Sequence, residues 1–219
     1  RPAHVFGTLR RIDERHRQDQ QLSYLGHCDA LTGQMIAHIM LGEGQKAAQF
    51  GEKAVAQRPR DQSIWAYLST AWGMTGDPRE EWLCGYETLI QAFDVEDGIG
   101  GRNPADYAAL VSTCLDGIHN STREPGNQSL RHGTQTSSSL FERDDPVLSD
   151  FRDNILSVVQ AYVETLPQDP THPFLSRDRR GKCRFSGSWS VRLQGDGGRH
   201  VPHFHANGWI SSAFYARLP

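Results

Sequence analysis

The chain predicts an α+β protein, with helices first and antiparallel strands after them. Three observations carry that prediction. Apolar and small residues recur at helical spacing between residues 31 and 93. A long amphipathic segment runs from 144 to 167. Beyond 168 the apolar period falls from about 3.6 residues to two.

Residues 1–30 are polar, and RRIDERHRQDQQ (10–21) reads as an exposed helix. From 31 to 93, Met35, Ile39, Ala47, Ala54, Ile64, Leu68 and Trp72 mark helical faces. Turn signals at LGEG (41–44), RPRD (58–61) and TGDP (75–78) cut them into short helices. Gly42 and Gly76 lie 34 residues apart, as do Leu31 and Trp65. This period resembles the tetratricopeptide repeat for about one and a half repeats. Gly51 and Gly85 stand where that family usually has an aromatic residue. Residues 1–93 are therefore read as a helical, tetratricopeptide-like region.

Residues 94–127 form a connector with one helix, PADYAALVSTCLDGIH (104–119). QSLRHGTQTSSSLF (128–141) lacks helical periodicity and reads as a strand or extended loop. The 144–167 segment has Asp144 or Asp145 as N-cap and Pro146 in its first turn. Leu148, Phe151, Ile155, Val158, Val159 and Tyr162 make its stripe. After a Pro- and Arg-containing loop, SGSWSVRLQG (186–195) reads as a half-buried strand. Trp189, Val191 and Leu193 would face inward, and Ser190, Arg192 and Gln194 outward. GDGG (195–198) reads as a hairpin turn, followed by a strand through the histidines, a break at Gly208 and a further strand.

A net charge of −3 argues against a general nucleic-acid binder. No stretch reaches the roughly 18 apolar residues of a membrane helix. The four cysteines lack a C-x-x-C spacing and fit thiols in a reducing, cytoplasmic compartment.

The chemistry gathers near residue 200. Three of the ten histidines, His200, His203 and His205, fall within six positions. On a strand, His203 and His205 would project to the same face, close enough to share an ion, and His200 would point elsewhere unless the strand bulges. Imidazole suits iron, zinc, copper or nickel, but two donors do not fill a coordination sphere. Packed or hydrogen-bonded strand histidines without metal fit the pattern equally. A cupin-like site accommodates Gly197 and the His-x-His, but no Glu follows His205.

The segment FSGSWSVRLQGDGGRHVPHFHANGWISSAFYARLP (185–219) resembles a bacterial family of 2-oxoglutarate/Fe(II)-dependent oxygenases with N-terminal helical repeats. QSLRHGTQT followed by Leu140-Phe141, then His172-Pro173, match in order and spacing, and the resemblance runs from about residue 30 onward. It implies that residues 128–219 are the N-terminal part of a double-stranded β-helix, or jelly roll. Such a fold has about eight strands, so the domain is expected to be incomplete at the C-terminus. The distal iron-binding His and the 2-oxoglutarate-binding Arg would come after Pro219, and the chain alone is expected to be inactive.

Carried over by resemblance, His203 is the first Fe(II) ligand. His205 stands where most relatives outside the family have Asp, and either ligates iron or leaves that site to water. Tyr215 corresponds to the tyrosine that hydrogen-bonds 2-oxoglutarate; a core aromatic is the alternative. Trp189 and Trp209 are read as core. Arg131 and Gln135 are read as pocket mouth or as loop structure. The chain has His132 where the family often has Gly, and Ala206 where it often has Pro. The implied activity is a hydroxylase-type dioxygenase that uses 2-oxoglutarate and dioxygen on an unknown substrate, with a protein or peptide as the kind that helical repeats serve. The alternative is an interaction module with a degenerate, non-catalytic β-barrel.

Overall fold

A computed structural model of the chain describes residues 3–11, 30–94, 103–121, 124–126, 128–137, 139–195 and 197–217. Helices α1 (Ala30–Met40), α2 (Gly44–Gln57) and α3 (Gln62–Thr75) pack on one another through tight turns. Gly42 and Gly76, 34 residues apart, do the same work. Both adopt positive φ, +75° and +66°, just after a helix, where a side chain would be strained. Asp61 caps α3 by accepting from the Ser63 amide at 3.0 Å. Met35, Ala47, Ala54, Ile64, Leu68 and Trp72 make the buried seam. A Cβ on Gly51 would stand 2.7 Å from Met35 Sδ and 2.8 Å from Leu68 Cδ1, so the helices meet too closely there for a larger side chain. Two short helices follow, α4 (Arg79–Cys84) and α5 (Tyr86–Leu89).

Helix α6 (Pro104–Ile118) is capped by Asn103, which accepts from the Asp106 amide at 2.9 Å. Helix α7 (Pro146–Thr165) is capped by Asp145, which accepts from the amides of Val147 and Leu148 at 2.8 and 3.1 Å. Their apolar stripes form a core with the 3-10 turn Leu140–Glu142 and one face of the main sheet. Tyr107, Val111, Leu115, Leu148 and Phe151 are buried there, and Phe185 and Phe214 pack from the sheet.

The strands are β1 (Ala3–Arg11), β2 (Leu130–Arg131), β3 (Gly133–Gln135), β4 (Cys183–Leu193), β5 (Arg199–His200) and β6 (Ile210–Tyr215). They form an antiparallel four-stranded sheet, ordered β3-β4-β1-β6, and a two-stranded one, β2-β5. The architecture is mixed α and β. Among the described residues no barrel closes, and no helix is long and apolar enough to cross a membrane.

Four sequence expectations change. The polar N-terminal segment read as a helix begins on β1 through Arg11, and residues 12–29 lie outside the described residues. GDGG does not close a hairpin. β4 and β5 belong to different sheets, so the turn is a corner between them. Gly198 is needed there, because a Cβ would meet Gln194 O at 2.7 Å.

Of the histidine segment only His200 is strand, at the end of β5; His203 and His205 lie on a loop. Pro202 brings no amide hydrogen to a ladder, and the Gly208 amide turns back to the His205 carbonyl at 3.2 Å. Finally, Ser188 and Ser190 of β4 are buried at 2% and 0% exposure alongside Val191, whereas Trp189 is only half-buried.

Candidate metal and co-substrate cleft

The register of the main sheet sorts its residues onto two faces. Trp189 and Ala213 flank the same β1 position, Phe6, and Val191 and Tyr215 flank the next position on that face, His4. Paired positions across antiparallel strands share a face, so Trp189, Val191, Ala213 and Tyr215 lie together. Gln135, opposite Val191 on β3, joins them. The other face carries Ser188, Ser190 and Phe214 toward α6, α7 and the 3-10 turn.

The loop between β5 and β6 lies over the first face. His205 is half-buried, with its ring 5.5 Å from that of Trp189. His203 stands 5.0 Å from His205 and 5.4 Å from His200, ring centre to ring centre. The loop therefore gathers all three histidines, where a straight strand would have sent His200 away. His203 and His205, with Trp209 and Ser211 to Ala213, line a cleft of about 520 Å³. Its far wall comes from the helical region. Gln62, in the first turn of α3, faces the cleft, and Tyr67 meets the ring of Phe204 edge-on at 5.3 Å.

The protonation pattern suits a metal donor. The Val201 carbonyl lies 2.9 Å from His203 Nδ1 and can only accept, so Nδ1 carries the hydrogen and the Nε2 lone pair is left for a ligand. Burial, helped by neighbouring His203, lowers the pKa of His205 and favours its neutral, lone-pair-bearing form. His200 Nδ1 is engaged with the Ser129 hydroxyl at 2.9 Å. Among the described residues no group of three or more His, Cys, Asp and Glu converges as a metal site. The two cleft imidazoles fit Fe(II) by donor type, His203 also by tautomer, and they supply part of a coordination sphere.

The remaining sequence-read residues divide. Tyr215 is 56% exposed on the open face, not packed in the core. Gln135 is half-buried on that face. Arg131 donates to the carbonyls of Gln128 and Leu130 at 2.6 and 2.7 Å, so it braces its own loop. Trp209 is buried, donates Nε1–H to the Phe174 carbonyl at 3.1 Å, and forms cleft wall as well as core. Trp189 supports His205 from the open face. His132 adopts φ +51°.

Gln62, Tyr67 and Phe204 were not legible, because no local pattern ties the start of α3 to a loop some 140 positions later. A polar set behind the sheet was hidden in the same way. Ser190 Oγ and His119 Nε2 lie 2.7 Å apart, and Thr136 Oγ1 accepts from the Ser190 amide at 3.1 Å. Burial, aided by Arg192, pushes the His119 pKa down to about 4, against the opposing pull of Asp116. The pair has the atoms of a nucleophile and base, but Ser190 is fully buried and offers no approach to a substrate.

Comparison of the chain with protein-family models, with curated proteins and with solved structures gives no match.

Proposed function

We propose that the cleft is the site of a hydroxylase-type dioxygenase that depends on Fe(II) and 2-oxoglutarate. The first strands of a double-stranded β-helix would supply its floor, and a tetratricopeptide-like region one wall. The observation that carries this reading is the pairing of His203 and His205 above the sheet face from which Tyr215 projects. His203 and His205 would hold the metal, and Tyr215 would donate its hydroxyl to a carboxylate of 2-oxoglutarate. Bound Fe(II) supplies the activation of dioxygen at the expense of 2-oxoglutarate. The chain's own part is to fix the His203 tautomer, present an uncharged wall, and receive substrate against Gln62 and Phe204.

That wall supports a protein or peptide segment as substrate. Among the described lining residues none is a lysine, arginine, aspartate or glutamate that would recognise a phosphate or the charged ends of a free amino acid. The thiols Cys84, Cys114 and Cys183 form no disulfide, in keeping with a cytoplasmic setting.

Anaerobic titration of the chain with Fe(II) and 2-oxoglutarate tests the reading. The visible charge-transfer band of an iron–2-oxoglutarate chelate should appear, and should be lost in His203→Ala. Chelation is the readout rather than turnover, because two imidazoles are part of the ligand set. Absence of the band at saturation would overturn the reading in favour of an interaction module. Exposed Met40, Leu41 and Met74 at the turns of the helical region favour that second reading.

A further inference from the structure

His172 is a fully buried histidine that the proposed chemistry does not use. It is 1% exposed, and both ring nitrogens are committed. Nδ1 lies 3.1 and 3.2 Å from the amide nitrogens of Phe174 and Leu175, which can only donate. Nε2 lies 3.1 and 3.2 Å from the carbonyls of Trp82 and Leu83 in α4, which can only accept. One proton state satisfies both sets: a neutral ring with hydrogen on Nε2 and a lone pair on Nδ1. The Trp82 ring also meets the imidazole edge-on at 4.8 Å.

The contacts continue to the cleft. The same segment presents the Phe174 carbonyl to Trp209 Nε1, and the two rings lie 5.6 Å apart. Trp209 is cleft wall. A short chain of hydrogen bonds therefore runs from the last turn of α4, through His172 and Phe174, to Trp209.

We infer that His172 is a positioning residue that holds the Trp209 wall to the end of the helical region, and that it does so only as the neutral imidazole. Protonation would put a hydrogen on Nδ1 against two amide hydrogens and break the local bonds.

The neighbouring ionisable groups are each held by partners other than the His172 ring. Arg179, in the same loop, donates to the carbonyls of Leu166, Pro167 and, at 3.1 Å, Leu175. The Asp169 carboxylate is taken by Thr171, by main-chain amides and by the Trp82 side chain. On α4, Arg79 pairs with Asp77 and Glu52, Glu80 accepts from Tyr86, Cys84 turns to Tyr86 and Glu80, and Glu81 is exposed in the first turn. Acid should therefore release the wall. The inference holds whatever the cleft binds.

The test follows the chain, labelled with 5-fluorotryptophan, by fluorine NMR and by amide hydrogen exchange as pH is lowered from neutrality until the fold is lost. Resonances are assigned by single Trp→Phe replacements. Trp82 and Trp209 should shift with one midpoint. The amides of Phe174 and Leu175 should lose protection by about tenfold per pH unit on the approach to it from above, the dependence of a one-proton release. Titration of His203 or His205 alone would reach Trp209 but not Trp82.

In His172→Asn the side-chain oxygen can still accept from both amides, while the arm to α4 is gone. Protection should persist, and the common acid response should vanish. Separate behaviour of Trp82 and Trp209 in the wild-type chain would overturn the inference, as would a wild-type acid response in His172→Asn. If that variant does not fold, the wild-type titration decides alone.

Discussion

His203 and His205 stand with ring centres 5.0 Å apart and planes at 79°, on a loop that Pro202 and the turn to Gly208 keep out of the sheet. The first prediction follows from their pairing. His203→Ala and His205→Ala should each weaken binding of Fe(II), or of Co(II) as a spectroscopic stand-in, by at least about tenfold. The thermal midpoint should barely move for His203, which is exposed. Metal titration alongside thermal melts checks both halves.

Tyr215→Phe removes one hydroxyl from the open face. A hydrogen bond to a charged group contributes roughly 1.5–3 kcal/mol. Affinity of the metal-loaded chain for 2-oxoglutarate should fall tenfold or more, as measured by calorimetry. Stability should stay unchanged, because the side chain is largely exposed.

His119 imposes a pH dependence. Its pKa is about 4 in the fold, chiefly through burial, against an ordinary value of 6.5. The unfolded chain therefore binds the extra proton first. This contribution to stability is complete above pH 6.5 and is lost as pH falls through 6.5 toward 4. The urea midpoint of the wild-type chain should fall over that window, and His119→Gln should flatten the fall. It should not remove it, because His205 titrates in the same sense.

Gly51→Ala should destabilise the helical region by roughly 1–3 kcal/mol through overpacking against Met35 and Leu68. Urea unfolding followed by circular dichroism measures it.

Asp145→Ala removes the acceptor for two amides at the start of α7, and should cost about 1 kcal/mol. Asp145→Asn should restore most of the loss. If Asp144 were the cap instead, its own alanine variant would show the larger effect.

Local rules carried much of the fold. α6 and α7 were legible because Asn103, Asp145 and two N-terminal prolines announce their starts and the stripes repeat faithfully. The strand character of β4 was legible from its alternation, and so was the burial of Val191, but the burial of its serines was not. Serine reads as solvent-facing until a hydrogen-bond partner is known, and those of Ser188 and Ser190 come from remote segments: Phe141, His119 and Thr136. The histidines were legible as a cluster. Their loop conformation turned on Pro202, whose missing amide hydrogen outweighed the alternation around it. The α3 wall of the cleft leaves no trace in any local window.

His132 joins β2 to β3 at φ +51°. Its amide takes a Glu124 carboxylate oxygen at 2.7 Å, and its carbonyl accepts from Gln194 at 2.8 Å. A residue with a Cβ is held there in a twist that suits its mirror image, and the cost falls on the single residue between β2 and β3. The junction is thus a handedness filter. Glycine or a D-amino acid at this position should be tolerated, and a β-branched residue such as valine should drive the two sheets apart.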